Sequence, residues 1–348
     1  MNKKLYFIAA AAIFAACSSN DVVSDIEDEN IEIGFAAETY KTTKAEITNN
    51  AQLATEGGFV VWGYKAKNQA TMDWTVEPYI VFDKVNVYVK SGEDGAYIDG
   101  TNTDWTYATK KYWDKNASYC FYAVAPYNPS SGTYSISEGN NSTKMITIDG
   151  AKSGLASDSD DFLIARGGVK DRKGTNQNNV DFTFHHTMAK VDFLLKKGDN
   201  IVGDVTVQKI TMTGWNSGNG KFVQSTDANP TTLTNSEWSI ASSGDGSVDI
   251  LTEESAVLTT TAVQTTTKTY IMVPQTIAAN NLTFTINFKI GDEPFLAQVG
   301  KIATEQIWGT DSHITYTLTI NPAAIEFDVK SICGFDNNGS GATDVPIQ

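Results

Sequence analysis

The chain has 348 residues and a formal net charge of −15, with 41 acidic side chains against 26 basic ones. So acidic a surface repels phosphate backbones and makes nucleic acid a poor partner, while the length suits two domains of ordinary size. Three cysteines are too few for a disulfide framework.

Lys3 and Lys4 precede an apolar run, Leu5 to Ala16, that stops at Cys17. Charge followed by a short apolar run is the pattern of a signal peptide, and the run falls short of the roughly twenty residues a spanning helix needs. Phe14-Ala15-Ala16-Cys17 resembles the bacterial lipobox. Residues 1–16 are therefore expected to be removed and Cys17 to carry acyl chains that hold the protein to the outer membrane, each buried CH₂ contributing roughly 0.8 kcal/mol. Loss of residues 1–16 takes away two lysines and leaves 332 residues at a formal charge of −17. Asp25, Glu27, Asp28 and Glu29 then read as a solvated tether. Acidic residues just after a lipidated cysteine also resemble a surface-export signal, which points to the cell surface.

Next, Ile31, Ile33 and Phe35 alternate with Glu32, Gly34 and Ala36, the pattern of a strand with one apolar face. Beyond it the chain is rich in Thr, Val, Ile and aromatic residues, with Gly/Asn/Asp/Ser clusters between short apolar runs, and reads as an all-β protein of the sandwich kind. Period-two stretches occur at Val85–Val89, Lys144–Ile148, Val205–Ile210, Leu282–Phe288 and Ile314–Ile320. No long stretch carries a helical period, so few, short helices are expected. The run from Asn178 to Leu195 changes apolar phase midway: Phe182, Phe184, His186 and Met188 share one parity, Val191, Phe193 and Leu195 the other. A bulge or bend near Ala189 reconciles them. The polar, breaker-rich tract 170–179 just before it suggests the domain boundary, which divides the body into 45–175 and 176–324. At the C-terminus Ile325, Phe327 and Val329 alternate with charged residues, and Val345 and Ile347 form a shorter alternation beyond a Gly-rich link. Extended, residues 325–348 span at most about 80 Å at roughly 3.3 Å each, enough to reach a neighbouring molecule.

No residue pattern demands chemistry. His185 and His186 are neighbours on a strand and point to opposite faces, so an ordinary strand position outweighs a shared metal. His313 has no nucleophile motif around it. Asp158-Ser-Asp-Asp161 lacks the calcium-loop pattern and reads as a solvated turn. Cys120, inside Tyr119-Cys-Phe-Tyr-Ala-Val, reads as a small buried hydrophobe, with pairing to Cys333 a lesser alternative. Trp62 and Trp113 read as core; Trp74 and Trp105, flanked by polar residues, are the candidates for a sugar-stacking surface. No catalytic residue, metal or cofactor is expected.

Several segments in order resemble the fimbrillin-like family, the subunits of type V pili. They are Gly58-Phe-Val-Val-Trp-Gly-Tyr64, Lys111-Tyr-Trp-Asp114 with Tyr119-Cys-Phe-Tyr-Ala-Val-Ala-Pro126, Asp160-Asp-Phe-Leu-Ile-Ala165, Phe184-His-His-Thr-Met-Ala-Lys190, Tyr270-Ile-Met-Val-Pro274, and Trp308-Gly-Thr entering Ile314–Ile320. The resemblance implies two tandem transthyretin-like β-sandwiches and export as a lipoprotein. It also implies cleavage by an Arg- or Lys-specific protease, which removes residues 17–44 or most of them, and assembly with other pilus subunits by strand exchange. In this sequence the cleavage falls after Lys41 or Lys44, where Thr43-Lys44-Ala45 replaces the Thr-Arg often found. The removable strand is Ile31, Ile33 and Phe35; the donor strand is Ile325, Phe327 and Val329 or Val345 and Ile347. The last strand reads Ile332-Cys-Gly-Phe335 where a tryptophan is common. The competing expectations are a surface glycan-binding lipoprotein that never polymerises and, further off, a β-sandwich hydrolase; an adhesin would meet host or bacterial surface ligands.

Overall fold

The computed structural model describes residues 31–39, 50–67, 79–89, 105–114, 117–138, 144–171, 179–225, 233–241, 245–251, 256–261, 268–321, 324–333 and 343–345. Cys17, Lys41, Lys44, Trp74 and Ile347 lie outside them, and Val345 is described by its main chain alone. The fold is all-β. Among the described residues helix is confined to Asn50–Thr55 and a 3-10 turn, Asn235–Glu237. No helix there is long and apolar enough to cross a membrane.

In the N-terminal unit seven strands close on themselves in the order Gly34–Thr39, Asn179–His186, Leu163–Asp171, Ala117–Ala125, Phe59–Lys67, Tyr79–Val89 and Trp105–Thr106. The sheet closes on itself because the first strand is hydrogen-bonded on both sides. Ala117–Ala125 is buried at every position. An uninterrupted apolar run is what a strand covered on both faces requires. Its inner residues Phe121 and Ala123 fill the barrel with Phe59, Phe82, Trp113 and Phe182. Cys120, Tyr122 and Val124 point outward into a second core. Cys120 is a buried free thiol with Sγ 2.7 Å from Tyr122 Oη, which removes the Cys120–Cys333 alternative. Phe59–Lys67 is entered through Gly58 (φ +88°), where a Cβ would lie 2.0 Å from Val87 O. Only glycine takes that turn without strain.

The C-terminal unit packs two sheets face to face. One runs Thr343–Val345, Ile325–Cys333, Ser312–Ile320, Ala189–Lys197, Tyr270–Met272, Gly154–Leu155; the other runs Asp245–Leu251, Val205–Asn216, Thr283–Ile290, Leu296–Lys301, with Ala256–Leu258 added beside Val205–Asn216. Phe193, Phe284 and Tyr316 meet between them at ring separations of 5.8–6.0 Å.

The chain passes between units at Thr187–Met188, where the apolar phase changes. Asn179–His186 belongs to the barrel, pairing with Gly34–Thr39 and Leu163–Asp171, whereas Ala189–Lys197 enters the second unit. Asn179–His186 lies beyond the boundary expected at 175/176 and pairs with strands before it. The units also trade strands. Thr133–Glu138 and Lys144–Ala151 share a four-stranded sheet with Gly220–Ser225 and Trp238–Ile240 from the second half. The core beneath that sheet joins Trp62, Tyr122 and Phe162 to Met188, Phe222, Trp238 and Ile271.

Candidate functional site: the slot of the first strand

Alternation fixes what the first strand buries. Ile33, Phe35 and Ala37 are 0 %, 2 % and 2 % exposed, whereas Glu38 is exposed and Ile31 half-buried. On one side the strand runs parallel to Asn179–His186, in continuous register from Gly34↔Asn179 to Thr39↔Phe184. On the other it meets a thin strap, residues 105–113. There Phe35 pairs with Trp105, Glu32 bridges Tyr112, Ile33 N–H donates to Lys111 O at 2.9 Å and Trp113 N–H to Ile31 O at 3.0 Å. Tyr107 Oη adds a hydrogen bond to Ile33 O at 2.8 Å. Burial pushes the Tyr107 hydroxyl up to about 12, so it keeps its proton and its donor role at neutral pH. Lys110 pairs with Glu32 at the surface.

Phe35 is the anchor. Its ring lies 5.3 Å from Phe82, 5.6 Å from Tyr107, 5.8 Å from Phe182 and 6.1 Å from Phe121. A buried phenylalanine contributes roughly 1.5–3 kcal/mol by area alone, and edge-on ring contacts add to it. Without residues 31–39 the barrel would have two unpaired edges flanking an apolar groove, a configuration that recruits another strand.

The C-terminal candidates sit differently. Ile325–Cys333 is paired antiparallel with Ser312–Ile320 along its whole length up to Ile332. Ile325 and Val329 are each 8 % exposed, and the Phe327 ring lies 5.3 Å from Phe284. In the isolated chain these three residues serve their own core. Thr343–Val345 adds a three-residue pairing with Val329–Ser331 at the sheet's outer edge.

Other sequence candidates resolve individually. Trp62 and Trp113 are core, as expected, but so is Trp105, 6 % exposed with its ring 4.9 Å from Phe59. The expected Trp105 sugar platform is therefore absent; its polar neighbours Asp104 and Thr106 hid a very short strand. The Asp158–Asp161 segment is not simply a solvated turn. Asp160 accepts from the main chains and hydroxyls of Ser130 and Ser131, and Asp161 Oδ2 lies 2.8 Å from buried His186 Nδ1. Asp311 stands near that pair. Burial pushes it up to about 6, with Asp161 adding to the rise and His186 opposing it. His313 Nε2 lies 2.8 Å from Asp192. Burial alone would raise the Asp192 carboxyl, but the His313 hydrogen bond and the Lys190 ammonium 3.7 Å away outweigh it and hold the group below the usual carboxylate range. Sequence reading missed both pairs because their members are 25 and 121 residues apart. Among the described residues no group of three or more His, Cys, Asp or Glu is placed to hold a metal ion.

The architecture is that of an all-β protein of two interlocked units whose first strand is clasped between distant segments of chain. A sequence profile of the fimbrillin-like family matches residues 29–332, and the chain belongs to that family. Solved structures share the fold. A fimbrial protein from Bacteroides vulgatus, 18 % identical, superposes with a TM-score of 0.58 over 88 % of this chain and 100 % of its own. A protein from Bacteroides uniformis described as a cell adhesion protein, 15 % identical, gives 0.50 over 87 % and 99 %. No curated protein matches the sequence.

Proposed function

We propose that this protein is a pilus subunit or pilus-associated adhesin, anchored through Cys17 and joined to its neighbours by strand exchange after cleavage at Lys41 or Lys44. Its role is structural and adhesive, not catalytic, and its place is the outer membrane and cell surface. The observation that carries the reading is the first strand. It completes the barrel with Ile33, Phe35 and Ala37, yet it is tied in sequence only to the tether before it and the candidate cleavage segment after it.

The donor is the C-terminal segment, 325–348. Ile325-x-Phe327-x-Val329 reproduces the spacing and order of Ile33-x-Phe35-x-Ala37. Because Phe327 packs on Phe284 in its own unit, the outer tail carrying Val345 and Ile347 is the part that leaves at least cost. Cutting the purified protein with a Lys-specific protease is expected to produce laddered oligomers, and Lys41→Gln/Lys44→Gln to abolish them. A cut protein that stays monomeric at high concentration would overturn the polymer reading and leave a monomeric surface protein.

A further inference from the structure

At one end of the barrel a cavity of about 480 Å³ opens beside the helix Asn50–Thr55, between the loop after Ala125 and the turn 156–161. Its walls carry Gln52, Glu56, Asn128, Ser159, Asp160 and Asp161. The volume falls within the roughly 300–1,000 Å³ of small-molecule sites. We infer that this cavity is a saccharide-binding site that takes a neutral sugar unit. The inference is independent of whether the chain polymerises.

The lining excludes the alternatives in turn. Three carboxylates and no cationic side chain line the walls, which disfavours anions. The carboxylates are not arranged for a metal. Asp160 is occupied by Ser130 and Ser131, and Asp161 by His186. Only Pro126 and Ala156 offer purely apolar side chains, too few for an apolar ligand. What remains is a mixture of carboxylate and amide acceptors with amide and hydroxyl donors, the set that matches vicinal hydroxyl groups, each of which donates once and accepts.

One feature makes the wall a built one. Asp160 accepts from two main-chain N–H groups and two hydroxyls, so the turn 156–161 is pinned to Ser130 and Ser131 before any ligand arrives. Ser159, 7 % exposed, adds its hydroxyl to the lining. Glu56 and Asn128 are exposed at the rim, where substitutions leave the core untouched.

The test is amide chemical-shift mapping on the full-length protein with glucose, galactose, mannose and N-acetylglucosamine, taking N-acetylneuraminic acid and calcium as contrasting probes. At least one neutral sugar is expected to shift Asn128, Ser130 and residues 156–161 saturably. Asn128→Ala and Glu56→Lys should each weaken that binding about tenfold or more with unchanged melting temperature. No saturable shift from any neutral sugar would overturn the assignment. So would equal binding by both variants, or a response of the same amides to calcium or the acidic sugar in place of neutral ones.

Discussion

The first and last long strands of this protein share one sequence pattern and hold opposite positions. Residues 33–37 and 325–329 each present aliphatic–x–Phe–x–aliphatic side chains to a core. The last strand is the second arm of a hairpin with Ser312–Ile320, and Asn321 N–H donates to Ala324 O at its closed end. The first strand is parallel to a segment about 145 positions away and, among the described residues, pairs with no strand close to it in sequence. Alternation tells which residues a strand buries, and connectivity tells whether it can leave. A hairpin arm is held by the strand next to it in sequence; a strand inserted between distant segments is held by long-range pairing.

The largest expected effect follows from that contrast. Phe35→Ala should cost about 3–5 kcal/mol, the range for emptying a closed aromatic core, and lower the melting temperature of the uncut protein steeply. If the first strand only lay on the surface of its unit, the loss would stay under about 1 kcal/mol. Phe327→Ala, half-buried against Phe284, should destabilise the monomer by about 2 kcal/mol. Oligomers lost with an unchanged monomer melt would instead assign Phe327 to a neighbouring subunit.

How much of this was legible in sequence depends on range. The burial of Ile33 and Phe35 follows from period two, and that of the strand Ala117–Ala125 from its apolar run Tyr119–Ala125. The phase change read as a bend near Ala189 coincides with the break between Asn179–His186 and Ala189–Lys197. The four-stranded sheet shared by both halves left no signal, because each of its strands looks like any other and only long-range pairing reveals it. Trp105 and the His186–Asp161 pair were hidden likewise: polar neighbours in sequence said nothing about partners brought in by the fold.

Two smaller effects sharpen the comparison. Tyr107→Phe removes the hydroxyl that holds Ile33 O and should cost about 1 kcal/mol. It should also speed hydrogen exchange in residues 33–37 while leaving residues 325–329 unchanged; equal acceleration of both strands would show a general loosening. At the junction between units, the folded-state pKa of Asp311 is raised from 3.8 to about 6, so the folded protein holds this proton more tightly than the unfolded chain does. Its stabilising contribution is full below 3.8 and is lost as pH rises through about 6. Asp311→Asn should therefore raise the melting temperature at neutral pH relative to the parent and narrow the difference in acid. An unaltered pH profile would remove Asp311 from the account.

The central claim, that the first strand is a removable closing element, is tested most directly by locking it in place. Ala36 and Asp181 stand in register on adjacent strands, with outward-facing side chains, and neighbouring strands lie about 4.8 Å apart, within the range a disulfide spans. In an Ala36→Cys/Asp181→Cys protein cut after Lys41 or Lys44, the oxidised form is predicted to remain monomeric and to ladder only after reduction. Equal laddering of the oxidised and reduced forms would contradict it, because assembly would then proceed with the first strand still in its slot.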